Sequence, residues 1–129
     1  MSSMRALIAA VIAGTGSGAL TGYAWWSARQ GPSDLNIAAA MLAWLVIGAM
    51  AGAASGRYRD SVVSLAAAVA GVAGAYQVNY ALDPGWPRAE TPFAVWVVYA
   101  ALFLLPWIVG GHLVGVTAVR RIRGRSPAS

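Results

Sequence analysis

The chain contains no cysteine and no lysine, and its 129 residues include only four acidic side chains and one histidine. Without cysteine there is no disulfide, no thiolate chemistry and no structural zinc site of the usual kind. A lone histidine with no second histidine or carboxylate at ligand spacing makes no metal centre, and no residue pattern calls for a cofactor. Charge is scarce altogether. Only 10% of the residues are charged, against about 25% in an ordinary soluble domain. A chain of this length that is 59% hydrophobic has too little polar surface to cover itself in water, so the expected solvent is lipid.

All nine basic residues are arginines, and the formal charge is +5. In a soluble protein that balance would point to nucleic acid. Here the arginines stand at the edges of apolar runs, and Arg120, Arg121, Arg123 and Arg125 crowd the C-terminal tail. Their expected partner is the anionic inner leaflet of a bilayer, at about 1 kcal/mol per residue near the surface. Nucleic acid is not an expected partner.

Four apolar runs predict helices over 6–26, 35–56, 61–82 and 93–119, followed by an arginine-rich tail, 120–129. Each run can cross a hydrocarbon core of about 30 Å. The expected fold class is all-α: one transmembrane domain, an integral membrane four-helix bundle. Ser33-Asp34 and Asp60-Ser61 suit helix N-caps, Arg57-Tyr58-Arg59-Asp60 is short enough only for a tight turn, and Pro92 can open the last helix. The loop from Asp83 to Pro92 holds three prolines and is expected to be stiff. Pro106, near the middle of the fourth run, predicts a kink. Arg5 and the apolar run behind it also fit a secretory signal, but the Gly14, Gly18, Gly22 series makes sense only in a retained, packed helix. Seven arginines lie in the N-terminus, the second loop and the tail, and two (Arg29 and Arg88) lie in the other loops. This bias predicts both termini in the cytoplasm of a multi-pass protein of a bacterial plasma (inner) membrane.

Small residues recur every four positions: Gly14, Gly18 and Gly22 in helix one, Gly48, Gly52 and Gly56 in helix two. Glycines spaced this way share a helical face and let another backbone approach closely, the usual basis of helix association in lipid. Gly71, between Ala67 and Ala75, and the pair Gly111 and Gly115 supply matching faces. Helices one and two run in opposite directions, so their ladders can meet only near Gly14 and Gly48. Each otherwise needs a different partner: the Ala67–Gly71–Ala75 face, another copy of the chain, or another membrane protein. A homo-oligomer or such a complex is therefore expected.

No aspartate, glutamate, lysine or arginine falls inside the expected spans, which counts against proton-coupled transport. His112 is the one group there that titrates near neutral pH. It reads functionally as a proton relay or lipid contact, and structurally as a histidine hydrogen-bonded to a neighbouring helix. The outer half gathers Tyr76, Gln77, Tyr80, Trp96 and Tyr99, with Tyr23, Trp44 and Phe103 nearby and Asp83, Arg88 and Glu90 at a possible rim. The cluster reads as a pocket for an apolar or amphiphilic ligand, or as an aromatic belt with interhelical bonds. No catalytic residue stands out. The leading expectation is a non-enzymatic accessory or scaffolding subunit. A small-solute, ion or lipid conduit formed by an oligomer comes second, and a membrane enzyme acting on a lipid or isoprenoid, with Asp83 or Glu90 as acid, third.

Overall fold

A computed structural model describes residues 2–29, 37–82 and 92–124. Every regular element among them is helical, and none is a strand. α1 spans Ser2–Arg29, α2 Ile37–Ser55 and α3 Ser61–Leu82, with a 3-10 turn, Tyr58–Asp60, between α2 and α3. The fourth helix is bent and is named in two parts, α4 (Phe93–Leu104) and α5 (Gly110–Gly124), on either side of a π-helical turn, Leu105–Val109. Four stretches are long and apolar enough to cross a membrane: Ser3–Ser27, Ala38–Ser55, Tyr58–Leu82 and Phe93–Gly124.

The third helix has the expected bounds, and the charged tetrapeptide before it is the expected tight turn. Two helices outrun their apolar segments. α1 begins at Ser2, and α5 continues to Gly124, so Arg120, Arg121 and Arg123 lie on the helix and not in a separate tail. Apolar character marks only the part of a helix long and greasy enough to cross a membrane. Arginine is a good helix former, and positive charge suits a helix C-terminus. The proposed cap at Ser33-Asp34 lies outside the described residues. Pro92 flanks α4, and its carbonyl accepts the Trp96 N–H at 3.0 Å.

Small side chains take many of the enclosed positions, beside Leu104, Ile108 and Val116. Ala9, Ala13, Ala51 and Ala68 are fully enclosed, whereas Leu7, Leu42, Val46, Leu102 and Ile122 face outward. A soluble bundle does the reverse, because water rewards burying the largest apolar groups. Where the surroundings are as apolar as leucine, close approach of helices decides what goes inside, and small residues win.

The glycine faces define two seams. In the first, α1 lies on α3: a Cβ added at Gly14 would stand 3.2 Å from the Ala67 carbonyl oxygen, and one at Gly18 would stand 3.3 Å from that of Gly71. The second joins α2 to the far half of the fourth helix. A Cβ at Gly48 would come within 2.5 Å of the Ile108 carbonyl oxygen, and one at Gly52 would collide with that of His112. Reciprocally, Gly111 faces the Leu45 carbonyl and Gly115 that of Ala49. The ladders of helices one and two therefore spend themselves on α3 and α5 within one chain, and Gly14 and Gly48 do not close on each other. Gly22 has no atom within 4 Å of its Cβ position and takes no part in a seam. Gly56 belongs to the turn: with φ +71 it ends α2, and its N–H returns to the Gly52 carbonyl at 2.8 Å. Glycine adopts that left-handed conformation without a Cβ penalty.

Pro106 sits in the π turn. A proline ring has no N–H to give the preceding turn and crowds its carbonyl, and the widened turn accommodates both effects. The bend passes the fourth helix from one neighbour to another, since α4 packs on α3 and α5 packs on α2.

Two glycine substitutions should separate seam from surface. Gly52→Ala is expected to lower stability in detergent by several kcal/mol, because a backbone carbonyl stands where the methyl group would go. Gly22→Ala is expected to raise it by about 0.5–1 kcal/mol through helix propensity. Reversible denaturation followed by circular dichroism reads both changes.

Candidate functional site

Polar groups gather at the end of the bundle where α2 turns into α3. His112 on α5 is fully enclosed and bonded through both ring nitrogens. Nε2 lies 2.8 Å from the Arg57 carbonyl oxygen, which can only accept, so the proton sits on Nε2. In the neutral ring Nδ1 then accepts from the Ser64 hydroxyl at 2.8 Å. Ser64 was not among the residues singled out from the sequence. The available signal was depth, since it is a lone hydroxyl one turn into an Ala/Val helix at the level of the lone histidine. A Ser–His pair suggests nucleophilic catalysis, but both side chains have zero exposure, and the histidine's second partner is a carbonyl and not a carboxylate. The arrangement ties three chain segments together. His112 is thus bonded within the bundle through both ring nitrogens.

The turn itself is cross-braced. The Arg57 guanidinium grips Asp60 with two bonds, Nε to Oδ2 at 2.8 Å and Nη2 to Oδ1 at 3.0 Å. Such a fork is the strong geometry for this pair. Ser55 donates to Oδ2 at 2.8 Å while its oxygen accepts the Arg57 N–H at 3.1 Å. Asp60 is only 4% exposed, so the guanidinium and the hydroxyl are what make its burial tolerable. On the outer side, the Tyr58 hydroxyl meets Thr117 Oγ1 at 2.8 Å. Thr117 gives its own proton to the Leu113 carbonyl at 2.8 Å, so Tyr58 is the donor. Arg120 lies 4.6 Å from the Tyr58 ring centroid, a cation–π contact.

At the opposite end aromatic rings pack against one another. Trp25 of α1 meets Tyr80 of α3 edge-on at 5.1 Å, Tyr80 meets Tyr76 at 4.8 Å, and Tyr76 meets Trp96 of α4 at 4.4 Å. This chain of rings knits three helices, and Phe93 stacks on Trp96 at its edge. Beside it lies an open cavity of about 350 Å³, within the size range of small-molecule sites. Its wall includes Thr21 and Ala24 of α1, Trp44 of α2, Val72 of α3, and Trp96, Tyr99 and Phe103 of α4. The handover at Pro106 accounts for it: α4 leans on α3 and away from α1 and α2, with Phe103 reaching across to Trp44 at 5.8 Å.

The expected outer cluster therefore divides. Trp96 and Tyr99 line the cavity, Tyr76 and Tyr80 are spent in ring packing, and Gln77 is exposed on α3. His112 belongs to the other end. Gln77, Tyr99 and His112 thus have three different surroundings within one chain. Asp83, Arg88 and Glu90, the expected rim, lie outside the described residues. Among the described residues no cluster of histidine, cysteine or carboxylate groups could hold a metal. Comparison with protein-family models, with characterised proteins and with solved structures gave no match to this chain.

Two serines test the polar accounting. Ser64→Ala strands the His112 ring nitrogen and is expected to cost about 1–3 kcal/mol. Ser17 is equally enclosed, but its hydroxyl has no partner among the described residues, so Ser17→Ala is expected to leave stability unchanged or raise it. Denaturation midpoints of the two variants in one detergent give the comparison.

Proposed function

We propose that the protein is a non-enzymatic accessory or scaffolding subunit of a membrane assembly, inserted with the arginine-bearing end in the cytoplasm of a plasma (inner) membrane. The reading rests on one face of α3. Ala66, Ala70 and Gly74 follow one another at four-residue spacing, all three are exposed, and nothing lies within 4 Å of a Cβ placed at Gly74. The Gly14–Gly18, Gly48–Gly52 and Gly111–Gly115 faces are consumed inside the bundle; this one is left open. Gln77 lies one turn beyond Gly74, also exposed, and offers an amide that a helix packed there can pair with. The partner is a transmembrane helix, of another copy or of a larger complex. Arg120, Arg121 and Arg123 on α5 suit the anionic headgroups of the inner leaflet. The braced turn and the glycine seams supply a rigid body on which such a face keeps its shape.

Extraction in mild detergent followed by cross-linking and size measurement tests the proposal. The native chain is expected to run as an oligomer or with a fixed partner, and Gly74→Leu and Ala70→Leu are expected to weaken that association at least tenfold while helical content is kept. A native chain that is a monodisperse monomer, or association untouched by both substitutions, contradicts the proposal.

A further inference from the structure

The three arginines of α5 have three different surroundings. Arg120 lies 4.6 Å from the Tyr58 ring centroid. Arg123 turns toward the end of α2, its Nη1 3.8 Å from where a Cβ on Gly56 would stand. Arg121 is exposed and has no ion pair, hydrogen bond or ring contact among the described residues. No carboxylate among those residues can neutralise it, because Asp60 is the one acidic side chain they include and Arg57 already grips it.

Arg121 instead lines an open groove of about 470 Å³ on the exposed face of α5. Two rows at four-residue spacing make its walls, Leu113, Thr117 and Arg121 in one and Val114, Ala118 and Ile122 in the other. Val114 and Ile122 are 61% and 70% exposed, and the smaller Ala118 sits between them. Thr117 offers no free proton, since its hydroxyl donates to the Leu113 carbonyl and accepts from Tyr58. Among these six side chains the guanidinium is therefore the one available donor. From Leu113 to Arg121 is eight residues, about 12 Å along the helix axis, so apolar wall and cation follow each other in the order of hydrocarbon and headgroup in a leaflet.

A guanidinium holds a phosphate through two parallel N–H bonds. Charge then separates the headgroups. A zwitterionic lipid brings its own cation to an end of the helix that already carries Arg120, Arg121 and Arg123, and an anionic one does not. We propose that the groove binds one anionic glycerophospholipid, with its phosphodiester on Arg121 and an acyl chain along Val114 and Ala118. This differs from a diffuse attraction of all the arginines to a charged leaflet, because one arginine and one lipid molecule carry it. The proposal rests on the reading that this end of the chain lies in a membrane leaflet, and it makes no use of the α3 face.

Native mass spectrometry of the full chain in mild detergent, titrated with dimyristoyl phosphatidylglycerol or dimyristoyl phosphatidylcholine, counts bound lipid. The expected result is one saturable phosphatidylglycerol per chain, held about tenfold more tightly than phosphatidylcholine. Arg121→Gln should remove that preference, and Arg123→Gln should keep it to within about twofold. Ala118→Leu, which fills the groove, should weaken phosphatidylglycerol binding about tenfold. Millimolar inorganic phosphate should not displace the lipid, because a free anion has no chain for the apolar wall. The proposal is overturned by equal binding of the two lipids, by equal losses in Arg121→Gln and Arg123→Gln, by unchanged affinity in Ala118→Leu, or by displacement with phosphate. All three substituted side chains are exposed, so the variants are expected to keep the native helical content, which circular dichroism checks. Ala70→Leu should leave the lipid count per chain unchanged, so the groove and the α3 docking face can fail separately.

Discussion

Backbone-to-backbone contact between α2 and α5 is the constraint on which the rest of the structure depends. Gly48 and Gly52 on one helix, and Gly111 and Gly115 on the other, remove Cβ atoms that would hold the two helices apart. At that separation many weak dispersion contacts accumulate, and Cα–H groups come close to carbonyl oxygens across the seam. In an apolar medium a leucine gains little by packing on another leucine, so close backbone contact carries much of the association. Once α5 is fixed on α2, His112 is brought to Arg57 and Ser64, and the turn between α2 and α3 is held from a third side.

The same constraint explains why the fourth helix bends. α5 must lie on α2, yet α4 lies on α3, and a straight helix cannot hold both positions. The π turn at Pro106 resolves the conflict and opens the space beside Trp44. The two ends of the bundle then differ in kind. One is closed by a fork between Arg57 and Asp60 and by the histidine; the other is closed by rings, with a cavity beside them among the described residues. Rigidity at the first end and an aromatic cavity at the second are consequences of one packing choice.

Much of the fold was legible in the sequence because four long apolar runs leave few choices. The bounds of α3, the four-residue turn before it, the bend at Pro106 and the small faces of all four helices follow from apolar runs, helix breakers and four-residue spacing. What spacing does not give is a partner. A glycine ladder names a face of its own helix, and which helix lies against it depends on depth and on the bend, so the pairing of α2 with α5 came from the structure. Gly56 fitted the ladder by number but serves the turn by conformation. Of the candidate site, Trp96, Tyr99 and His112 were visible as polar or aromatic groups in apolar runs. Ser64 was not, nor was the Trp44 N–H, which is enclosed with no partner among the described residues, because serine and tryptophan are ordinary in apolar helices and only enclosure makes them informative.

His112 is the sole histidine of the chain, so its carbonyl carbon can be isotopically labelled alone and paired with labelled glycine Cα carbons in the protein reconstituted into lipid bilayers. Solid-state carbon–carbon correlation should then show a short-range cross-peak between the Gly52 Cα and the His112 carbonyl carbon, distinct from the sequential Gly111 signal. A spectrum in which the Gly111 signal is strong and the Gly52 signal is missing would contradict the backbone contact on which this account is built.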